Sequence, residues 1–255
     1  MFSKEPRCCY GAHQLAEVIC QFRFPEILSV SAQDPVAFQE AIREDFPQFL
    51  RRKELPALSP GAVQKPEPVT NFQFSTADGK WRINLTNRFI SLTCTHYTGW
   101  EDFAAHLDKP LASFIQIYKP AYFERVGLRY LNFISRAALS LEGVPFRELI
   151  MPCYLGPLAE EDVAESTISR CSVDTELALR GGCRAKIHAG PGLVRRGGKE
   201  DKEVKFIFDQ DLFMPGQLPL NLAVGALHTL HGQADSLFRG AITKKLHNAM
   251  APEMP

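Results

Sequence analysis

Several features are scarce in this 255-residue sequence, and each scarcity removes a class of protein. No apolar run approaches the roughly 18 residues that a membrane-spanning helix needs, so no span and no membrane partner is expected. The opening stretch MFSKEPRCCYGAH has no hydrophobic signal core, and the expected location is the cytoplasm. Charge of one sign is not in excess. Lys+Arg and Asp+Glu both number 29, which argues against gripping nucleic acid by bulk charge but leaves room for a local basic patch. The seven cysteines, Cys8, Cys9, Cys20, Cys94, Cys153, Cys171 and Cys183, include no Cys-x-x-Cys pair, which speaks against a zinc ribbon. Without an export signal, reduced thiols are the default. There is no Gly-x-Ser-x-Gly nucleophile elbow and no Gly-x4-Gly-Lys-Ser/Thr phosphate loop. Gly190-Pro191-Gly192 and Arg195-Arg196-Gly197-Gly198-Lys199 read as hairpin tips instead.

What is present is a strong alternation of helical and extended patterns. From Leu220 the apolar residues Val224, Leu227, Leu230, Ala234, Leu237, Phe238, Ala241, Ile242 and Leu246 follow in steps that mostly keep one helical stripe. The pattern predicts one long C-terminal helix from Pro219 to Met250, about 45 Å long, stopped by Pro252 and Pro255. Such a helix is marginal alone and has to be held by packing. Gly225, Gly232 and Gly240 lower its propensity, and the expectation is that at least one of them allows close approach to a sheet; a kink is the competing reading.

Earlier in the chain, Leu15–Phe24 alternates as a strand, and a helix follows with Asp34 as its N-cap and Val36, Phe38, Ile42, Phe46 and Leu50 as its stripe. Residues 51–70 are proline-rich and read as loop. Strands are expected at 71–76 and 80–86 around the Asp78-Gly79 turn, and at 89–97. Trp100–Tyr118 reads as a helix with a kink or break near Asp108, because Pro110 lies inside it. The second half starts with a strand at 123–134 and a short helix at 144–151. Three strands near 168–180, 183–194 and 202–213 then precede the long helix.

Both halves therefore read strand, helix, three strands, helix. The expectation is an α+β single domain over 1–255, with pseudo-repeats at 13–119 and 120–251. These would form one curved antiparallel sheet with helices on one face, of the TATA-binding-protein type. A helix-grip fold, with a curled sheet enclosing the C-terminal helix, is the other solution.

Three blocks carry a family resemblance: Tyr97-Thr98-Gly99-Trp100-Glu101-Asp102-Phe103, Arg125-Val126-Gly127-Leu128-Arg129-Tyr130-Leu131-Asn132, and Leu227-His228 through Phe238 to Ile242-Thr243. With the Ala16-Glu17-Val18 opening and the chain length, they resemble a sporadically distributed prokaryotic family of unknown function. The resemblance implies an accessory gene, part of a partnered or phage-defence locus. It brings no catalytic residues with it.

The sheet face away from the helices is the candidate site. Strand alternation gathers eight basic residues there, Arg23, Arg82, Arg125, Arg129, Arg180, Arg184, Lys186 and Lys205, against the four acidic Glu17, Asp174, Glu176 and Asp209. Such a face suits an acidic or phosphate-bearing ligand. It equally suits a solvated sheet surface laced with cross-strand ion pairs. The expected function is binding, through Arg23, Arg82, Arg125, Arg129, Arg184 and Lys186, of a protein from the same locus or of a nucleic acid, with no cofactor. The alternative from another class is an enzyme with a polar cavity between sheet and C-terminal helix, using His231, Asp209 and Arg129. His228 and His231 at helical i,i+3 spacing, with Asp209, are weak candidates to ligate a metal. Cys94 and His96 share a strand face and are read as packing residues rather than a nucleophile pair.

Overall fold

A computed structural model of the chain describes residues 1–55, 68–196 and 199–253. In chain order these form β1 (Cys9–Tyr10), β2 (Leu15–Arg23), α1 (Leu28–Ala32), α2 (Val36–Ile42), β3 (Gln48–Glu54), β4 (Val69–Ser75), β5 (Trp81–Leu85) and β6 (Phe89–Cys94). Then come α3 (Trp100–Tyr118), β7 (Phe123–Ile134), a series of 3-10 turns, β8 (Val173–Ala178), β9 (Arg184–Arg196), β10 (Lys199–Leu218), α4 (Ala223–Ala241), α5 (Lys244–Ala249) and β11 (Pro252–Glu253). Nine strands form one sheet in the order β3-β4-β5-β6-β2-β7-β10-β9-β8, and β1 pairs separately with β11. The strand pairs with a defined register are antiparallel, so the α+β class with a large antiparallel sheet is the one adopted.

The chain divides into two compact units, one of residues 19–127 and 215–224, the other of residues 1–18, 128–214 and 225–255. Their boundaries fall inside β2, β7, β10 and α4.

In the unit built on 19–127, the period-two pattern of β4, β5 and β6 sends Phe72, Phe74, Trp81, Ile83, Leu85, Ile90, Leu92 and Cys94 to one buried face. Helices α2 and α3 cover it. Phe38 of α2 meets Phe74 edge-on at 5.5 Å, Phe114 of α3 meets Phe24 at 4.7 Å, and His106 stacks flat on Trp81 at 3.9 Å. The α3 stripe Trp100, Phe103, Leu107, Leu111 and Phe114 is buried as its spacing predicts, and the helix runs through Pro110 as one element. The turn at Asp78-Gly79 forms as expected. Gly79 takes φ +70°, and the Asp78 carboxylate accepts from Thr76 Oγ1 at 2.7 Å and from Lys80 N at 3.1 Å.

Two local expectations for this unit are corrected. Residues 48–54 are not helix end and loop but the strand β3, paired with β4 over seven residues. All seven are exposed, so the alternation that marks a half-buried strand is missing. The rest of that segment, 56–67, lies outside the described residues. Asp34 is not an N-cap: α2 starts after Pro35 without a side-chain cap, and the Asp34 carboxylate pairs with Arg51 instead.

In the other unit, β8, β9 and β10 pair in register, and Ala185, Ile187, Ala189, Phe206, Phe208 and Leu212 form the buried face. Leu227, Leu230, Ala234, Leu237 and Ala241 of α4 are buried, and Phe208 packs against Phe238 at 6.0 Å and edge-on against Tyr154 at 5.2 Å. The expected single C-terminal helix is two helices. Ile242 forms an antiparallel bridge with Ile150, flanked by bonds from Met151 N to Ala241 O and from Thr243 N to Leu149 O, each 2.9 Å. Those backbone bonds replace helical ones at Ile242-Thr243, and the Thr243 hydroxyl then caps α5 by accepting from Leu246 N. The same bridge leaves room for only a 3-10 turn, Phe146–Glu148, where a short helix is predicted. Of the three helical glycines, Gly225 and Gly232 face open space. Gly240 allows close approach, not of a sheet strand but of the N-terminal segment, since a Cβ there would lie 2.1 Å from Met1 O. The Gly197-Gly198 tip and the Pro255 stop lie outside the described residues.

Gly190 on β9 gives a direct test of this packing. A Cβ there would stand 2.4 Å from the backbone oxygen of Cys171 and 3.0 Å from Ser172 Cα. Gly190→Ala is expected to cost about 1–3 kcal/mol, because neither obstacle is a flexible side chain. Denaturant unfolding of the variant checks this, and unchanged stability would refute the close approach.

Candidate binding face

The unit built on 19–127 carries a polar sheet face opposite α2 and α3. Alternation places Asn71 and Gln73 of β4, Arg82 and Asn84 of β5, and Phe89, Ser91 and Thr93 of β6 there, with Gln21 and Arg23 of β2. Asn71, Gln73, Asn84, Ser91 and Thr93 are buried although none is apolar. They form a cross-strand lattice. Asn71 Nδ2 donates to Glu54 Oε1 at 3.0 Å and to Asn84 Oδ1 at 3.2 Å; Gln73 Nε2 donates to Asn84 Oδ1 at 3.1 Å, and Asn84 Nδ2 donates to Ser91 Oγ at 3.3 Å. Both amide hydrogens of Asn71 are spent, which fixes its orientation. Its Oδ1 is buried without a hydrogen-bond partner among the described residues. An acceptor left so costs about 1–3 kcal/mol.

Charged side chains also lie on this face. The described strand residues place Arg23, Arg52, Arg82 and Arg125 on it against the carboxylate of Glu54. Arg125 Nη1 donates to Gln21 Oε1 at 3.4 Å. Its guanidinium lies across Gly127, where a Cβ would be 2.2 Å from Nη1, so the glycine makes the space the arginine occupies.

The corresponding face in the other unit is balanced. Arg129 donates to Asp209 through Nε to Oδ1 at 2.7 Å and Nη2 to Oδ2 at 2.5 Å. That bond, with Asp211 and Glu17 nearby, raises the guanidinium pKa further. Glu176 takes Arg184 at 3.4 Å and Lys186 at 3.7 Å, Asp174 takes His188 at 2.7 Å, and Lys205 pairs with Asp201 at 2.5 Å. Of the six arginines and lysines singled out from the sequence, Arg129, Arg184 and Lys186 thus each face a carboxylate. Arg82 and Arg125 are half-buried, and Arg23 is exposed.

The trio named for the enzyme alternative does not come together. Arg129 and Tyr130 are neighbours on β7 and point to opposite faces of the strand. Arg129 binds Asp209, while the Tyr130 hydroxyl shares a 2.7 Å hydrogen bond with His231 Nδ1 on α4. Asp209 and His231 are therefore separated by the thickness of the sheet, which also divides the weak metal set His228, His231 and Asp209. Among the described residues no group of three His, Cys, Asp or Glu side chains is placed to hold a metal. Burial lowers the His231 imidazole to about 3, helped by the charges of Arg7 and His228, so it is neutral at physiological pH. Cys94 is buried beneath α3, and desolvation pushes its thiol up to about 11, which keeps it protonated and unreactive while His96 is exposed.

Asn71-Phe72-Gln73-Phe74 and Ser91-Leu92-Thr93-Cys94 alternate polar with apolar, which is the sequence signal for the lattice. No protein-family model matches the chain, and a search of curated proteins finds no match. Among the described residues no helix is long and apolar enough to cross a membrane.

Proposed function

We propose that the chain is a binding protein that holds an anion-bearing ligand on the polar sheet face of the unit built on 19–127. The observation that carries this reading is the set of guanidinium groups, Arg23, Arg52, Arg82 and Arg125, over a floor of neutral, buried, hydrogen-bonded side chains. Planar guanidinium groups suit phosphate and carboxylate, and the shielded floor strengthens their pull on an anion. The ligand is either a nucleic acid component or an acidic group of a protein partner encoded beside this gene. The strand order, with β2 and β7 adjacent, β6-β5-β4-β3 outside the first and β10-β9-β8 outside the second, supports a duplicated, TATA-binding-protein-like sheet over a helix grip.

Fluorescent single-stranded oligonucleotide and phosphopeptide probes, titrated at roughly 50 and 200 mM salt, test the reading. One probe is expected to bind, to weaken with salt, and to lose at least tenfold in affinity in Arg82→Glu/Arg125→Glu. Arg184→Glu/Lys186→Glu should change it less than twofold. Equal losses in the two pairs of variants would defeat the proposal.

A further inference from the structure

We propose that β3 is a docking edge for a partner protein, whose acidic, extended segment adds to the sheet as a further antiparallel strand beside Gln48–Glu54. This edge shares Arg52 with the anion-binding face above and is otherwise independent of it.

β3 ends the nine-stranded sheet, and β4 holds one side of it over seven residue pairs without a shift of register. Every second residue of an edge strand turns its N–H and C=O away from its neighbour. Among the described residues no backbone bond beyond those to β4 involves 48–54. The devices that close an edge are missing: the strand has no proline and no bulge, and it is not short. Its side chains are uncovered as well. Phe49 is 41% and Leu50 47% exposed, and Arg52 and Lys53 are exposed with no ion pair among the described residues. Arg51 is engaged, since it pairs with Asp34 and its guanidinium lies over the Phe72 ring at 5.9 Å.

Alternation sets Phe49, Arg51 and Lys53 on one face of the strand and Gln48, Leu50, Arg52 and Glu54 on the other. Phe49 is held against Phe72 and Phe74, with ring centroids 6.4 and 5.3 Å away. An incoming strand therefore meets apolar side chains at 49 and 50 and cations at 52 and 53, one of each on either face. In the antiparallel sense of the sheet, the matching segment has the order acidic, acidic, any, apolar, apolar. Main-chain bonds to an edge supply affinity, and alternate side chains supply specificity. Opposite charges directly across a strand pair favour it. A second copy docking by the same strand would bring Arg51, Arg52 and Lys53 of both chains together, which like-charge repulsion opposes. A nucleic acid would use the two cations but neither the backbone edge nor the apolar pair. The other end strand, β8, has no spare charge of this kind, because Asp174 and Glu176 already take His188, Arg184 and Lys186 of β9.

Calorimetric titration of the full chain with the end-capped peptide Thr-Glu-Glu-Thr-Val-Val-Thr tests this. The peptide is expected to bind at least tenfold tighter than its counterpart with lysine in place of both glutamates. N-methylation of alternate peptide positions gives two patterns; one should abolish binding and the other change it less than threefold. Arg52→Glu/Lys53→Glu should weaken the acidic peptide at least tenfold and bind the lysine peptide more tightly than the wild type does, with thermal melting confirming that the variant folds. Arg82→Glu/Arg125→Glu should change the acidic peptide less than threefold. Failure of the wild-type chain to bind the acidic peptide at millimolar concentration overturns the proposal. Equal tolerance of both methylation patterns also overturns it, because the contact would then be charge without strand pairing. So does equal loss in the two pairs of variants, which would move the peptide onto the sheet face. Sedimentation of the chain alone is expected to show no association that charge reversal at Arg52 and Lys53 changes; association that it does change would make a second copy the occupant and sink the acidic partner. A single-stranded oligonucleotide that binds through Arg52 and Lys53 where the acidic peptide does not would sink it too.

Discussion

Phe208→Ala is expected to destabilise the unit that contains it by about 3–5 kcal/mol. Phe208 is 1% exposed, and its ring contacts Tyr154 on one side and Phe238 of α4 on the other. Removing it deletes a large apolar surface and leaves a cavity between a strand and two other elements, and the strand is held in register by ladder bonds that resist collapse into the gap. Phe208→Leu keeps most of the volume and should cost about 1.5 kcal/mol or less. Phe49→Ala provides the contrast. Phe49 also meets two rings, Phe72 and Phe74, but is 41% exposed on β3, so less area is lost and neighbouring side chains and water can fill the space. Urea unfolding of the three variants decides the matter; a Phe208→Ala cost below that of Phe49→Ala would mean that the buried ring is not a packing centre.

Acidification should destabilise the fold through His231. In the unfolded chain its imidazole titrates near 6.5, whereas in the folded protein burial holds it down to about 3. Between those values the unfolded chain binds a proton that the folded chain refuses. The stabilising contribution is therefore complete above about pH 6.5 and is lost as the pH falls toward 3. By pH 4 the loss is on the order of 3 kcal/mol. Asp235 works in the opposite sense, since burial raises its carboxyl and protonation at low pH favours the folded state. The measurement is thus a comparison: stability from pH 7 to 4 in the wild type and in His231→Phe. The wild type is expected to lose more, and a variant with the same slope would show that His231 is not the group responsible. Tyr130→Phe should keep the slope, because it removes the hydrogen bond but not the burial that sets the shift.

Residue pattern alone was enough to place β2, β4, β5, β6, β7 and α3 and the turn at Asp78-Gly79, because each has one buried face and so displays its period directly. It failed at β3, where all seven residues are exposed and no period exists to read. It failed again at Ile242, whose apolar character continues the stripe of α4 but whose backbone is claimed by Ile150, a residue 92 positions away in sequence. Strand alternation also determined which side chains share the polar face, including Arg23, Arg82 and Arg125. Which charges remain to act there was a tertiary matter. Nothing in the sequence around Arg129 or Arg184 marks it as paired, yet the strand register sets Asp209 beside the first and Glu176 beside the second. Period fixes the face on which a residue lies; only the pairing of distant strands fixes its neighbours, and neighbours determine whether a charge is neutralised or left to attract a ligand.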